Sequence, residues 1–409
     1  MNELPVGWEW KRLEEIAEIN SRFEKNSFDD ETEVTFLPMR CVEELTGKMD
    51  TSIEKKYGEI KTGYTPILEG DLLFAKITPC IENGKIAIAK NLKNGIGFAS
   101  TEFHTLKFFQ KNETKFYFFY LVQEKIRQEA ARNMTGTAGQ QRVPVTFLKR
   151  LKVPVPPLHI QRQIVAVLEK AEAVKRQRRE ADALTGALLQ SVFREMFGDP
   201  VRNERGWEEK SLVQIVSTKS HSIKRGPFGS AIKKDCFVKT GYKIYEQQNV
   251  LNNDFNRGKY FIDEKKFNEL KDFQLLPRDI LITCSGTGTV GKIAIVPEKI
   301  QKGIINQALL KLTLDENKVE SIFFTHLFSF KFHDSKSKNI HGSAIPNIAS
   351  LSELKRIKFP IPPLALQQQF ARIVQDVERI RERQVASGRQ IEGLCEGLMA
   401  RAFAGELVT

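Results

Sequence analysis

The chain has 409 residues, of which 41% are hydrophobic and 28% are charged, a composition typical of globular proteins and unlike disordered or membrane proteins. A chain of this length is longer than a typical domain with a single hydrophobic core, and it suits two or three domains. The 63 Lys and Arg residues outnumber the 51 Asp and Glu residues, and the net charge of +12 favours a polyanionic partner such as nucleic acid. No apolar run approaches the roughly 18 residues of a membrane span.

Compartment and metal content are indicated by what the residue pattern lacks. The first residues contain neither the basic nor the apolar stretch of a secretory signal, and the six histidines have no metal-ligand spacing. The five cysteines form no Cys-x-x-Cys pair, which is typical of reduced thiols. We therefore expect a cytoplasmic protein without a membrane segment, disulfides or a bound metal. The cysteines are Cys41, Cys80, Cys236, Cys284 and Cys395.

The sequence repeats itself at an offset of about half its length. The second member of each matching pair lies about 200 residues after the first, and the offset drifts slightly along the chain. The matching segments are residues 7–8 and 206–207, 84–88 and 291–295, and 154–158 and 360–364. A drifting offset indicates small insertions within an otherwise duplicated unit. Each half has the same order of a mixed segment, a proline-rich hinge and a long polar segment with a periodic apolar pattern.

The mixed segments are predicted to contain both strands and helices. Short apolar or alternating runs are separated by Gly, Asn and Pro, which is typical of strands and turns. The predicted strands are residues 35–39, 71–77, 85–89, 105–109, 279–283, 292–296 and 309–314, and the predicted helices are residues 115–132 and 318–330. We expect each mixed segment to form a compact α/β domain with a largely antiparallel sheet.

The segments after the hinges are predicted to be long helices, because the prolines fix an extended backbone and the apolar residues that follow recur at three-four spacing. Arg178 and Gln384 interrupt this pattern at the same repeat position. We expect the two helices to pair as a coiled coil and to dock partners, the alternative being that each packs on its own domain. The residues predicted for pairing and docking are Ile164, Val167, Ala171, Val174, Leu188, Val192, Phe370, Ile373, Val377, Ile380, Ile391, Leu394 and Leu398.

The predicted fold class is α+β, with mixed α/β regions. Two duplicated globular domains are each followed by a long helix. The predicted boundaries are 1–152 for the first domain, 153–199 for its helix, 200–358 for the second domain and 359–409 for its helix.

A glycine-rich loop in the second half, residues 286–292, fits a dinucleotide pattern and most of a phosphate-loop pattern. Both patterns need a helix directly after the loop, because aligned amides hold the phosphates. Here a strand-like run ending at Pro297 follows, and Ile293 occupies the position of the magnesium-binding Ser or Thr. The repeat partner, residues 82–85, has the Asn-Gly pattern of a hairpin turn. We expect a β-turn, and a nucleotide-binding enzyme using this loop remains the alternative.

Several strings, in this order and twice over, resemble the specificity subunit of a type I restriction-modification system, and the resemblance covers essentially the whole chain. The strings are GWEWKRLEEIAEI at 7–19, FAKITPCIENGKIAIA at 74–89, PVPPLHIQRQIV at 154–165, LLQSVFREMFGD at 188–199, RGPFGS at 225–230, GTVGKIAIV at 288–296, IPNI at 345–348, PIPPLALQQQF at 360–370 and AFAGEL at 402–407.

The resemblance implies a non-catalytic subunit with two target-recognition domains, each of which reads one half of a bipartite, asymmetric site in double-stranded DNA. It also implies that the two long helices pack antiparallel as spacers and dock two methyltransferase subunits, with motor-nuclease subunits joining the complex. S-adenosylmethionine, ATP and magnesium are then expected on those partners, with no cofactor in this chain. The target adenine would be flipped into the methyltransferase. A coiled-coil adaptor that does not bind DNA remains a second alternative.

Candidate DNA contacts are polar, cationic or aromatic residues at strand ends and in Gly-containing loops, because such side chains can reach base edges or phosphates. Thr101 and Asn306 could instead bond loop backbone, and Phe228 could belong to a core. Glu102 is a further first-domain candidate, together with the loop 136–142. The predicted residues are Lys76, Thr78, Glu82, Asn83, Lys85, Thr101, Gln140, Gln141 and Arg142 in the first domain, and Lys224, Arg225, Phe228, Ser230, Gln247, Asn249, Ser285, Thr287, Lys292, Asn306, Gln307 and Ser343 in the second.

The net charge is distributed unequally between the two predicted domains. Residues 1–150 contain 22 Lys and Arg and 22 Asp and Glu residues, for a net charge of zero. Residues 200–357 contain 26 Lys and Arg residues and 17 Asp and Glu residues, for a net charge of +9. We therefore predict that the two halves bind DNA with different salt dependence. The sequence does not specify the target bases, the gap between half-sites, or whether the system restricts or only methylates.

Overall fold

The computed structural model describes residues 4–21, 28–109, 114–137, 139–228, 231–286, 289–334, 340–341, 347–348 and 351–408. The chain forms two compact units. Unit 1 comprises Met1–Glu180 and Ala386–Thr409, and unit 2 comprises Ala181–Val385. Each unit therefore contains one globular region together with parts of both long helices. In the described part of the chain, no helix is long and apolar enough to cross a membrane.

The described part of unit 1 contains two four-stranded sheets and one two-stranded ribbon. The strands are β1 Glu9–Arg12, β2 Ala17–Ile19, β3 Glu33–Leu37, β4 Glu54–Lys56, β5 Thr65–Leu68, β6 Leu72–Ala75, β7 Ile86–Ile88, β8 Ile96–Ala99, β9 Phe103–Phe108 and β10 Lys152–Val155. The strand orders are β2-β9-β6-β7, β4-β3-β8-β5 and β1-β10. Pairing is antiparallel except between β3 and β8, which run parallel. The helices are Leu13–Ile16, Tyr57–Ile60, Thr114–Leu121, Glu124–Arg132 and Val145–Arg150, with 3-10 turns at Met39–Cys41 and Lys93–Gly95.

Unit 2 repeats this plan with one strand fewer in its second sheet. The strand orders are β12-β18-β15-β16, β14-β13-β17, β11-β21 and β19-β20, and β13 runs parallel to β17. The strands are β11 Glu209–Ser211, β12 Ile223–Arg225, β13 Tyr242–Tyr245, β14 Phe261–Ile262, β15 Ile280–Thr283, β16 Ile293–Ile295, β17 Gly303–Ile305, β18 Leu309–Leu312, β19 Ile340–His341, β20 Asn347–Ile348 and β21 Lys358–Pro360. The helices are Leu212–Ile215, Gln247–Leu251, Glu264–Glu269, Ser321–Asp334 and Leu351–Arg356, with 3-10 turns at Lys234–Cys236 and Lys271–Phe273.

The predicted duplication and the mixed helix-strand fold are confirmed, since equivalent strands occupy equivalent places in the two units. Every predicted strand overlaps an observed one. The predicted helix 115–132 is two helices, because Gln123 has an extended backbone and Arg127 Nε donates to the Val122 carbonyl oxygen at 3.0 Å. The Asn83-Gly84 turn lies at the end of a longer connection, residues 76–85, instead of forming a tight hairpin.

The two long helices are Leu158–Phe197 and Leu364–Ala404, close to the predicted spans. Each begins just after a proline hinge, where a buried glutamine bonds the hinge backbone. Gln161 Nε2 donates to the Pro156 carbonyl oxygen at 2.8 Å, and Gln367 Nε2 donates to that of Pro362 at 2.7 Å. These bonds satisfy carbonyl groups that the hinge would otherwise bury without a partner, which explains why the glutamine is part of the repeat.

The two long helices contact each other within each unit. In unit 1, Cys395 Sγ lies 3.7 Å from the Ala171 carbonyl oxygen, and Ile164 shares a core with Phe403. From this contact toward the core, residue numbers rise along the second helix, from 395 to 403. Along the first helix they fall, from 171 to 164. The helices therefore run antiparallel there, as the resemblance implies. Knobs-into-holes packing remains a prediction.

Unit 2 shows the same antiparallel arrangement. Gln384 Nε2 donates to Thr185 Oγ1 at 2.9 Å, and the rings of Phe193 and Phe370 lie 5.4 Å apart. Gln384 is thus a polar contact between the helices, at the position where the predicted apolar pattern is interrupted.

The buried line along the long helices differs from the predicted one. The side chains that enter the cores include Leu168, Leu189, Phe193, Val374 and Cys395, each one position after a predicted residue. The reason is that each helix packs on a globular core as well as on the other helix, and large aromatic side chains fill that core. Among the predicted residues, Ile164, Phe370 and Val377 are buried, Val167, Ala171, Val192, Ile373, Ile391 and Leu398 are half-buried, and Val174, Leu188, Ile380 and Leu394 are exposed.

Candidate nucleic-acid interface

Three segments of unit 1 converge just beyond the ends of β6 and β9. Lys76 N donates to the Glu102 carbonyl oxygen at 2.9 Å, and Val143 N donates to that of Lys76 at 2.8 Å. Thr78 N donates to the Gln141 carbonyl oxygen at 3.1 Å. We call this group the unit 1 rim, which consists of Lys76, Thr78, Thr101, Glu102, Gln140, Gln141 and Arg142. The structure therefore brings together most of the predicted first-domain residues.

A bidentate ion pair dominates the unit 1 rim. Arg142 Nε donates to Glu102 Oε2 at 2.9 Å, and Arg142 Nη2 donates to Glu102 Oε1 at 2.8 Å. Arg142 Nη1 also lies 3.2 Å from the Gln140 carbonyl oxygen. The guanidinium holds the pKa of the Glu102 carboxyl below its usual value, mainly by hydrogen bonding. The arginine is thereby fixed in one orientation at the surface.

The remaining first-domain candidates lie in a separate group and serve internal contacts. Asn83 Nδ2 donates to Glu44 Oε1 at 2.9 Å, and the Glu82 carbonyl oxygen accepts from Arg127 Nη1. Lys85 Nζ donates to the Val42 carbonyl oxygen at 2.9 Å and to that of Met39 at 3.2 Å. The Lys85 ammonium group therefore stabilises the backbone of residues 39–42, and a DNA contact of Lys85 stays a prediction.

Unit 2 assembles an equivalent group, the unit 2 rim, from Arg225, Phe228, Gln247, Ser285, Asn306 and Gln307. Arg225 Nε lies 3.4 Å from the Gln307 carbonyl oxygen, and Asn306 N donates to the Tyr245 carbonyl oxygen at 3.0 Å. Gln247 Nε2 donates to the Ser285 carbonyl oxygen. Asn306 Oδ1 accepts from Ala308 N at 3.1 Å, so its alternative role in bonding loop backbone is confirmed.

Close backbone packing holds the Arg225-to-Phe228 loop of the unit 2 rim. A Cβ atom at Gly226 would lie 1.8 Å from the Asn306 carbonyl oxygen, so only glycine fits at this position. Gly226 N donates to the Leu309 carbonyl oxygen at 2.9 Å. The Phe228 side chain at the end of this loop is 85% exposed, which excludes its predicted alternative as a core residue.

Other second-domain candidates have different environments. Asn249 is 1% exposed, and its Nδ2 donates to the carbonyl oxygens of Asp254 and Arg257, so its predicted DNA contact is corrected to a structural role. The Lys224 ammonium lies 3.5 Å from Asp272 Oδ2 and above the Phe273 ring. Lys292 is exposed. The predicted residues Ser230, Thr287 and Ser343 lie outside the described residues.

In the described part of the glycine loop, residues 286 and 289–292, the segment that follows is a strand instead of the helix that nucleotide binding requires. Strand β16 begins at Ile293, directly after the loop. The Gly291 N–H donates to the Thr283 carbonyl oxygen at 2.9 Å, and Lys292 N donates to Thr283 Oγ1 at 3.0 Å. These amides bond within the sheet instead of facing a phosphate from a helix terminus, which argues against the nucleotide-binding alternative. The part of the chain that the structure describes also contains no cluster of His, Cys, Asp or Glu side chains suited to a metal.

Sequence patterns did not reveal one pairing and two exposed apolar residues on these surfaces. Glu102 is a predicted candidate for DNA contact, but its pairing with Arg142, 40 residues away, follows from no local periodicity. Leu184 and Val385 on the long helices are 73% and 56% exposed although both are apolar. Leu184 lies four residues before Leu188 but is not among the residues predicted for pairing, and Val385 falls outside the three-four pattern.

The chain is therefore a duplicated two-domain α/β protein, with polar loop residues gathered at the same edge of each copy and a long helix after each copy. The family model described as "Type I restriction modification DNA specificity domain" matches residues 5–181 and 204–387. The chain belongs to this family.

Individual relatives agree with the family assignment. The Type I restriction enzyme EcoEI specificity subunit of Escherichia coli is 42% identical over 170 residues, which are 41% of this chain and 28% of that protein. The match thus spans little more than a quarter of that relative. A putative type I restriction enzyme MjaX specificity subunit of Methanocaldococcus jannaschii is 24% identical over 444 aligned positions, covering 100% of this chain and 95% of that protein.

The fold also matches a solved structure. A chain from work on complex assembly and conformational transition of the type I R-M system aligns with a TM-score of 0.67 and 20% identity, covering all of both chains. This likeness establishes a shared fold.

Proposed function

We propose that this chain is the DNA-specificity subunit of a type I restriction-modification complex and has no catalytic activity of its own. Each globular region reads one half of a bipartite, asymmetric site in double-stranded DNA. The observation that carries the proposal is the pair of rims, which occupy equivalent places in a duplicated fold but present different side chains.

The different chemistry of the rims supports an asymmetric target. The unit 1 rim presents an ion-paired arginine with Gln140 and Gln141, whereas the unit 2 rim presents amides, Arg225 and an exposed Phe228. Base edges in the major groove differ in their donor and acceptor pattern, so different side chains select different bases. Lysines in the more basic second region supply phosphate contacts that position the protein without selecting sequence.

The long helices are proposed to pack as antiparallel spacers and to dock two methyltransferase subunits, with motor-nuclease subunits completing the complex. Support comes from apolar side chains that stay exposed in the isolated chain, since such residues on a helix commonly mark partner contacts. These are Val174, Leu184, Leu188, Ile380, Val385 and Leu394. S-adenosylmethionine, ATP and magnesium would act on the partner subunits, where the flipped adenine is methylated.

The test is to express the chain with its cognate type I methyltransferase subunit in a host without other methylation, and to map modified adenines across the genome. The expected result is one split motif with two dissimilar halves and a fixed gap. Omitting this chain should abolish methylation. Unsplit or sequence-independent methylation, or methylation that does not need this chain, contradicts the proposal.

The coiled-coil adaptor alternative is tested by DNA binding. A complex of the methyltransferase with the full chain should bind the mapped site, and the matched complex with residues 200–357 removed should lose recognition of one half-site. If both complexes select the same DNA, the second region does not read sequence.

A further inference from the structure

The guanidinium of Arg142 is presented to the surface in a fixed orientation by both its backbone and its side chain. Arg142 N donates to the Thr135 carbonyl oxygen at 2.9 Å, and Thr135 N donates back to the Arg142 carbonyl oxygen at 3.0 Å. The neighbouring Val143 N bonds to Lys76, which anchors this strand-like segment to the end of β6. The backbone at Arg142 is therefore held to Thr135 and, at the next residue, to the end of β6.

The Glu102 carboxylate occupies the Nε–Nη2 edge of the Arg142 guanidinium, and the Gln140 carbonyl oxygen takes part of the Nη1 side. A guanidinium has five N–H groups: one on Nε and two each on Nη1 and Nη2. The Glu102 carboxylate accepts from the Nε–H group and from one Nη2 N–H group. The Gln140 carbonyl oxygen accepts from one N–H of Nη1. Among the described residues, Nη1 and Nη2 each therefore keep one N–H without a protein acceptor. The Arg142 side chain is 42% exposed, so these donors are accessible.

This arrangement suits a base edge better than a phosphate. Phosphate binding gains from net positive charge, but the Glu102 carboxylate neutralises Arg142, and the net charge of residues 1–150 is zero. Two remaining donors on a planar, fixed group match the paired acceptors O6 and N7 of guanine, the commonest specific contact of arginine in the major groove. Fixing the arginine in advance also reduces the entropy lost on binding.

We propose that Arg142 reads a guanine in the half-site bound by the first globular region, and that Glu102 is the positioning residue that orients it. This inference rests on the proposed function and adds the base that this rim selects and the pair of residues responsible. No chemical step is involved, because both residues act in recognition and remain ionised as an Arg⁺–Glu⁻ pair.

The test measures base preference at every position of both half-sites, using the complex of this chain with its methyltransferase and a library of sites randomised one position at a time. Arg142→Ala should reduce discrimination for guanine at one position by about 10- to 100-fold and leave the other half-site unchanged. Arg142→Lys keeps the positive charge but lacks the two parallel N–H donors of the guanidinium. It should therefore lose the same base discrimination with little change in the salt dependence of DNA binding. Glu102→Gln should give a smaller loss at the same position.

Arg132→Ala is the matched control, since Arg132 is an exposed arginine of the same unit on the helix Glu124–Arg132. It should leave every base preference unchanged. If Arg142→Ala abolishes methylation, base preference is measured instead with Arg142→Lys and by competition binding between DNA sites. The inference is overturned if the half-site of this region has no G·C pair, or if all Arg142 variants weaken every sequence equally. Absence of a split motif with the wild-type chain would instead refute the proposed function.

Discussion

The two rims differ far more than the two scaffolds that carry them. The first sheets have equivalent strand orders, β2-β9-β6-β7 and β12-β18-β15-β16, and each second sheet contains one parallel pair. On this common frame, unit 1 presents the Glu102–Arg142 ion pair, and unit 2 presents Arg225 beside amides and an exposed Phe228. The comparison indicates that burial fixes the frame, whereas loops at the strand ends are free to set specificity.

The largest expected effect tests the equivalence of the two scaffolds. Phe197 in unit 2 and Phe403 in unit 1 occupy equivalent repeat positions and pack on aromatic rings, for example Phe323 at 4.8 Å and Phe116 at 5.1 Å. Changing either residue to Ala should destabilise its own unit by about 3–5 kcal/mol, because each leaves a cavity in a core. Hydrogen exchange resolved along the chain would measure this.

Leu184→Ala, at a 73% exposed position, should change stability by less than about 0.5 kcal/mol. Equal loss of protection in both units for either phenylalanine variant would contradict the assignment of separate cores.

The second prediction compares the equivalent lysines Lys85 and Lys292. Lys292 is exposed, whereas Lys85 bonds two main-chain carbonyl oxygens. If Lys292 contacts a phosphate, Lys292→Ala should lower the slope of log affinity against log salt by about 0.9. Lys85→Ala should lower stability and leave the salt slope unchanged. Titrations of the assembled complex on its DNA site at several salt concentrations would measure both slopes, and similar slope changes for the two variants would refute the distinction.

The third prediction concerns pH and the unit 1 rim. Hydrogen bonding to Arg142 lowers the pKa of Glu102 in the folded state, so the folded state favours the carboxylate. This contribution to stability is fully present above the pKa of the unfolded chain and is lost as pH falls through the lower, folded pKa. Because the pair is partly exposed, we expect it to be worth at most about 1 kcal/mol.

Denaturant unfolding of the wild type and Glu102→Gln between pH 7 and pH 3 would test this dependence. The wild type should be the more stable protein at pH 7, and the difference should shrink at the acidic end. A difference that grows as pH falls would show that the ion pair does not stabilise the rim.

The smallest expected effect concerns the polar contact between the long helices in unit 2. Gln384→Leu removes the bond to Thr185 Oγ1, but that hydroxyl still donates to the Ala181 carbonyl oxygen at 2.8 Å. The free energy of unfolding should therefore change by no more than about 1 kcal/mol, as measured by urea denaturation. A loss of several kcal/mol would mean that Gln384 holds the helices in register.

Sequence patterns predicted the parts of the fold that depend on local periodicity. The strands, the long helices and the duplication follow from apolar spacing, prolines and repeated motifs, and the structure agrees. The buried line of the long helices was displaced, with Leu189 and Phe193 entering the core in place of Leu188 and Val192. Which residues of a long helix are buried depends on the shape of the globular core that the helix packs on, and the helix sequence alone does not determine that shape.

The grouping of the candidate residues was predictable only in part. The pattern of strand ends and glycine loops indicated Thr78, Gln141 and Arg142, which the structure brings close together. The burial of Asn249 and the internal bonds of Lys85 were not predictable, because both depend on backbone carbonyls brought close by tertiary folding. The same limit applies to the pairing of Glu102 with Arg142.

The most direct test of the central claim is an exchange of one region. Residues 200–358 are replaced by the equivalent region of a relative with a different known motif, and methylated sites are mapped with the same partner subunits. The account predicts that one half of the split motif changes to that of the relative while the other half stays the same. A change in both halves, or in neither, would contradict the claim that each globular region reads its own half-site.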